Sequence, residues 1–283
     1  MAFSVNTNAS ALSALQQLTI TNRSLGETQE RVNTGLQIRS AKDNAAVFAI
    51  AQNLRADFEG YNAVRQSLDR SISATDVALA ASEAIGDLLL NLKERAVAAA
   101  DAGLDTASRE ALRQDFEEIR AQIGTIITNA SFNGTNLVDG GTDTVVAITT
   151  PDALGNITIA HENLTVPATS PAPAGGVIQF ALDQTLDSAV NAQTIVGLID
   201  QSIANLSDAQ TRLGAGAKAL ETQRAFTDII QDTLQVGIGN LVDADLARES
   251  ARLQALQVKQ QLGLQALSIA NGQPQAILSL FGN

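Results

Sequence analysis

The sequence predicts a mainly α fold: a long antiparallel, coiled-coil-like helical bundle with a small central β-hairpin region. Three observations carry that prediction. From about Ala11 to Ile127 apolar residues recur at helical spacing without a single proline. From about Asn136 to Leu186 the texture changes to short β-rich runs, and every proline but Pro274 falls there. Beyond it, helical periodicity resumes and continues toward the C-terminus.

The elements follow in order. Leu18, Leu25 and Val32 lie seven apart and mark an apolar seam near the N-terminus. The pattern loosens at Asn33-Thr34-Gly35. Ser40 with Asp43 three residues on then reads as a capping-box variant that starts a new helix through Ala45–Ala51. A second break spans Asp101–Thr106, with Gly103 as C-cap and Asp105 or Thr106 as the next N-cap, so the flanking helices form an antiparallel pair. Leu112, Phe116, Ile119, Ile123 and Ile126 alternate at four and three, the spacing of an ordinary bundle core. Phe132-Asn133-Gly134 is a turn signal closing this zone.

In the centre, Thr144–Thr149, Asn156–Ala160 and Val177–Ala181 read as short strands, with Pro167–Gly176 as a loop. Roughly fifty residues are too few for a strong independent core, so this region leans on the helices. Ile195, Ile199, Leu206, Leu213, Leu220, Ile230, Leu234 and Leu241 then share one register. Leu246, Leu253 and Leu267 lie at multiples of seven, with Leu256 and Ile277 on the adjoining position. Gly216, Gly237 and Gly263 at seam positions allow close helix approach.

Composition narrows the function. Lys and Arg total 18 against 30 Asp and Glu, and the basic residues are scattered, so neither nucleic acid nor an anionic membrane is an expected partner. No stretch is long and apolar enough for membrane insertion. Cysteine is absent, which excludes disulfides, thiolate metal sites and thiol nucleophiles. The single histidine, His161, has no second His or Cys to share a metal, and reads as a solvated loop residue. Asp243 and Asp245 read as an acidic helix entrance, and Glu117, Glu118 and Arg120 as a solvated face with local ion pairs. No catalytic residue, metal or cofactor is predicted. Met1–Ser10 lacks the basic and apolar regions of a cleaved signal peptide.

The two ends share a property. Each is an amphipathic helix with an apolar seam and nothing adjacent in sequence to cover it, and isolated helices are marginal in water. The packing candidates are Leu12, Leu15, Leu18, Leu25 and Val32 at one end. At the other they are Leu246, Leu253, Leu256, Leu267, Ile277, Leu280 and Phe281. Their partner is either the opposite terminus or another subunit.

Four segments carry a resemblance to the bacterial flagellins. The run from Arg31 to Ala46, RVNTGLQIRSAKDNAA, is similar to their N-terminal signature, with Arg39 and Asn44 where Asn and Asp are more common. Phe132–Leu137, FNGTNL, is similar to the segment closing their first helical half. Leu241–Glu249, LVDADLARE, and Ala270–Phe281, ANGQPQAILSLF, resemble their C-terminal signatures. The C-terminal half, including Arg212–Leu220, looks most like the alphaproteobacterial branch.

The resemblance implies a structural subunit that self-assembles into a hollow, extracellular flagellar filament for swimming, exported through a type III channel without a cleaved signal. A hook–filament junction protein of the same export system is the alternative. It implies terminal helices paired as an inner core (residues 1–40 and 242–283), a helical bundle (41–137 and 191–241) and a short variable β-hairpin region (138–190). The implied partners are identical or sister flagellins, an export chaperone, and hook-associated and cap proteins. By the same resemblance, Lys93, Glu94, Arg95 and Asp115 occupy the surface that an animal innate immune receptor reads in many flagellins. Arg95 stands there in place of the usual Leu, which predicts poor recognition. O-linked sugar is expected, by the same analogy, on Thr142, Thr144, Thr169 or Ser170.

Overall fold

The computed structural model describes residues 7–172 and 175–281, with side chains described through residue 272. Five helices and two small hairpins follow in order: α1 Ala9–Thr34, α2 Ala45–Ala99, α3 Thr106–Asn129, β1 Ser131–Phe132, β2 Thr135–Asn136, β3 Val145–Ile148, β4 Asn156–Ile159, α4 Ala189–Val242 and α5 Leu246–Phe281. The predicted mainly α class is the observed one.

Local chemistry sets the helix ends. Asn8 caps α1 by accepting from the Ala11 N–H at 3.0 Å. Gly35, at φ 71°, closes α1 in the left-handed conformation and returns its N–H to Arg31 O. The expected Ser40–Asp43 capping box is not what starts α2. Asn44 does so, its Oδ1 accepting from Val47 N–H at 3.2 Å. Asp43 turns back instead and accepts from the N–H groups of Arg39 and Ser40, both at 3.0 Å. Asp105 caps α3 through Ser108 N–H at 2.7 Å. Gly103 is not a C-cap; its N–H donates to Asp101 Oδ1 within the turn.

The chain divides into two compact units, one of residues 57–232 and one of residues 1–56 with 233–283. In the first, α2 presents Val64, Leu68, Ser71, Thr75, Ala78, Ser82, Ile85, Leu89, Leu92, Ala96 and Ala99, a strict four-and-three alternation that is buried throughout. It runs antiparallel to α4, as shown by Asn62 with Gln231, Asp69 with Arg224, and Lys93 with Asp200. The α4 seam follows the predicted register through Leu220. Beyond it the buried residues are Thr227 and Gln231 rather than Ile230. On α3, Phe116 and Ile123 are fully buried, with Leu112, Ile119 and Ile126 packed beside them as predicted.

The segment after α3 is tied down by one amide. Buried Asn136 donates to Ile127 O at 2.7 Å and accepts from Val138 N–H at 2.9 Å. Asn133 and Gly134 both take positive φ (51° and 84°), which is why this tight turn needs Asn-Gly. Strands β3 and β4 pair antiparallel, Val145 opposite Ile159. Their hairpin leans on the helices: Ile148 N–H reaches Ser67 Oγ, and a Cβ on Gly216 would lie 2.6 Å from Ile159 Cδ1. The Gly216 notch therefore receives the hairpin rather than a helix, while Gly237 faces open space.

Three readings are corrected in this unit. Val177–Ala181 is not a strand. Its backbone is satisfied piecemeal, by Asn163 O for Val177 N–H, Ser202 Oγ for Gln179 N–H and Gln184 Oε1 for Ala181 N–H. His161 is not a solvated residue; its side chain is largely covered, with Nε2 3.3 Å from Asp139 Oδ1. Arg120 is not on a solvated face. It lies over the Phe116 ring, 5.7 Å from the centroid, and donates to the carbonyls of Ala181 and Gln184.

Candidate assembly interface

In the unit of residues 1–56 and 233–283, α1 and α5 pack antiparallel. Asn8 Nδ2 donates to Ala270 O (2.7 Å), Leu18 meets Gly263, Gln260 Nε2 donates to Asn22 Oδ1 (2.8 Å), and Arg31 faces Glu249 (3.6 Å). The α1 seam reads Ala11, Ala14, Leu18, Thr21, Leu25, Thr28 and Val32. The α5 seam reads Glu249, Leu253, Leu256, Gln260, Gly263, Leu267 and Ala270. Both keep a four-and-three alternation, the geometry that holds one face toward a partner helix. A Cβ at Gly263 would approach Leu18 Cδ1 to 3.2 Å, so glycine makes room for leucine there.

Two of the signature segments are hydrogen-bonded to each other. Val242 O accepts from Gln37 N–H (2.7 Å) and Ile38 N–H (3.3 Å), Ala244 N–H donates to Gly35 O (2.8 Å), and Leu36 bridges Asp243. Asp245 caps α5 by accepting from Ala247 and Arg248, in line with its reading as a helix entrance. On the other side, the Arg39 and Ser40 N–H groups hold the Asp43 carboxyl below its ordinary range. Arg39 also pairs with Glu30. Each of these segments supplies backbone partners to the other.

The predicted packing residues divide. Leu18, Leu25 and Leu256 are buried, and Val32, Leu253 and Leu267 are half-buried. Leu12, Leu15 and Leu246 are not covered by the pair; they are 62%, 50% and 49% exposed. The side chains of Ile277, Leu280 and Phe281 lie outside the described residues. The sequence reading missed Thr21, Thr28 and Glu249, all buried in the seam. Strict spacing read without regard to polarity would have found them. Val258, Leu262, Leu264 and Ile269 add further exposed apolar surface on α5.

The other candidates lie in the unit of residues 57–232. Lys93 pairs with Asp200 at 2.7 Å, and Arg95 lies 3.8 Å from both Glu94 and Asp115, so its charge is held between α2 and α3. Thr142, Thr144, Thr169 and Ser170 are all exposed. Among the described residues no group of His, Cys, Asp or Glu is arranged to hold a metal. No described helix is long and apolar enough to cross a membrane.

Family models for the bacterial flagellin N-terminal helical region and C-terminal helical region match residues 5–143 and 196–281. The flagellin FljK of Caulobacter vibrioides is 46% identical over 98% of both chains. A flagellin of Brucella melitensis is 36% identical over 98% of this chain and 99% of its own. Among solved structures, a Vibrio parahaemolyticus chain described as a flagellar hook-associated protein covers 71% of this chain and 100% of its own, at TM-score 0.53 and 13% identity, a likeness of fold alone. With two helical regions matched in order and full-length relatives at this identity, the chain belongs to the bacterial flagellin family.

Proposed function

We propose that the paired α1 and α5 of each copy pack against those of other copies to form the inner wall of a hollow flagellar filament. Residues 57–232 then make further contacts between copies, and residues 138–190 are the short variable region. One observation carries the reading: pairing buries the seam yet leaves Leu12, Leu15, Leu262 and Ile269 half or more exposed on two long helices. Covering the exposed part of each such side chain is worth about 1–2 kcal/mol, a gain that further copies of the same surface collect repeatedly along a filament. Sister flagellins, an export chaperone, and cap and hook-associated proteins are the partners this role requires.

Electron microscopy of the purified chain after addition of salt tests it. Long filaments from this chain alone are the expected result. Short or absent polymer under all salts overturns it, and leaves the hook–filament junction role, which needs few copies, as the better reading.

The surface at Lys93, Glu94, Arg95 and Asp115 is proposed to engage an animal innate receptor poorly, since Arg95 carries a charge already shared with Asp115. Arg95→Leu should raise activation in a receptor reporter assay severalfold over wild type. Equal activation by the two proteins discards the proposal.

A further inference from the structure

The acidic excess of this chain resides in one unit. Residues 57–232 carry 10 Lys and Arg against 24 Asp and Glu, while the remaining residues carry 8 against 6. Packing copies of a unit so charged costs repulsion that its own cations must offset. Most of those cations are already spent. Lys93, Arg95, Arg113, Arg212, Lys218 and Arg224 face carboxylates of the same chain, and Arg109 and Arg120 donate to backbone carbonyls. Only Arg65 and Arg70 are left without a partner among the described residues of this unit.

Arg70 borders a cleft of about 150 Å³ between α2 and the two hairpins. Phe132, Val145 and Ala74 supply its apolar surface. Its polar lining consists of Arg70, Ser71, Asn133, Thr135 and Thr144, with no carboxylate among them. The nearby Asp143 is turned to Asn136 N–H. The side chains of Asn133, Thr135 and Thr144 make no hydrogen bond among the described residues, so an amide, two hydroxyls and a guanidinium stand ready to donate. In a unit this acidic, a cleft that offers a guanidinium, an amide and two hydroxyls, with no carboxylate in its lining, suits an anion.

We propose that this cleft receives a carboxylate side chain from the acidic unit of a second copy of this chain. The proposal rests on the filament reading and names one of its contacts. Charge complementarity chooses the occupant: the unit that keeps only two free cations offers many unpaired acids, and assembly brings the two together at no cost to any internal ion pair. Thr144 is then a contact residue rather than a sugar acceptor.

The test compares full-length wild type, Arg70→Glu and Lys218→Glu. Lys218 is an exposed cation whose pair is local, with Glu221, so its reversal changes the net charge equally without touching the cleft. At low salt, Arg70→Glu should raise the critical concentration for sedimentable polymer roughly tenfold, and Lys218→Glu by no more than about twofold. The gap should narrow as ionic strength rises and the Debye length shortens. The helix signal and thermal midpoint of Arg70→Glu should match wild type, because Arg70 makes no internal ion pair. Equal shifts in the two variants would mean that net charge alone matters and overturn the cleft contact, as would wild-type polymerisation by Arg70→Glu. Wild type that forms no polymer at all removes the filament reading and this contact with it.

Discussion

Removing residues 263–283 should abolish sedimentable polymer while leaving a soluble, cooperatively folding helical protein. The truncation takes Gly263, Leu267 and Ala270 from the α5 seam, together with the carbonyl that accepts from Asn8. Leu18 loses the glycine notch it occupies, and Ala11 and Ala14 lose the helix they face. The remaining piece of α5 then covers only the Asn22–Arg31 stretch of α1, and short helices without a packed face fray. The core of residues 57–232 is made by other segments, so its unfolding transition should persist. Pelleting assays and circular dichroism read the two halves of the result. A truncated chain that still forms filaments would show that the terminal pair is not the assembly element.

Phe116→Ala should destabilise the unit of residues 57–232 by about 3–5 kcal/mol, read as a shift in the urea midpoint with an unchanged slope. Phe116 is 1% exposed, and it meets Phe180 edge-on at 6.2 Å between centroids. Truncation opens a cavity between α3 and the irregular segment around Phe180. It also removes the ring beneath Arg120, a cation that the sequence presents as a surface charge. Phe116→Leu, which keeps most of the volume, should lose well under half as much. A loss below about 1 kcal/mol for the alanine variant would mean that the 180s segment is not held by this contact.

The helices and their breaks were legible because their causes are local. Leu112 to Ile126 repeat within one helix, Asp105 sits where a cap is needed, and Asn133-Gly134 can adopt a turn that few dipeptides accept. The family was legible for a related reason. Its signatures lie where the backbone makes special demands: Gly35 at positive φ, Asn136 closing α3, and Val242 accepting from Gln37. The cleft at Arg70 was not legible. It is defined by which cations elsewhere have already found partners, and no local pattern records that.

What the sequence determined by itself is therefore the periodic part: three zones, long helices with four-and-three seams, a β-containing centre, and ends whose apolar faces need a partner. Only the tertiary structure decided which residues complete those seams and which are left over. Thr21, Thr28, Gln231 and Glu249 are buried because a helix far away in sequence supplies a matching surface or hydrogen bond, as Asn62 does for Gln231. Val177–Ala181 has strand-like composition but pairs with no strand among the described residues, and side chains of Ser202 and Gln184 satisfy it instead. Leu12 and Leu15 look like seam residues, yet the smaller Ala11 and Ala14 occupy the seam beside them. Burial belongs to pairs of surfaces, and one strand of sequence shows only half of each pair.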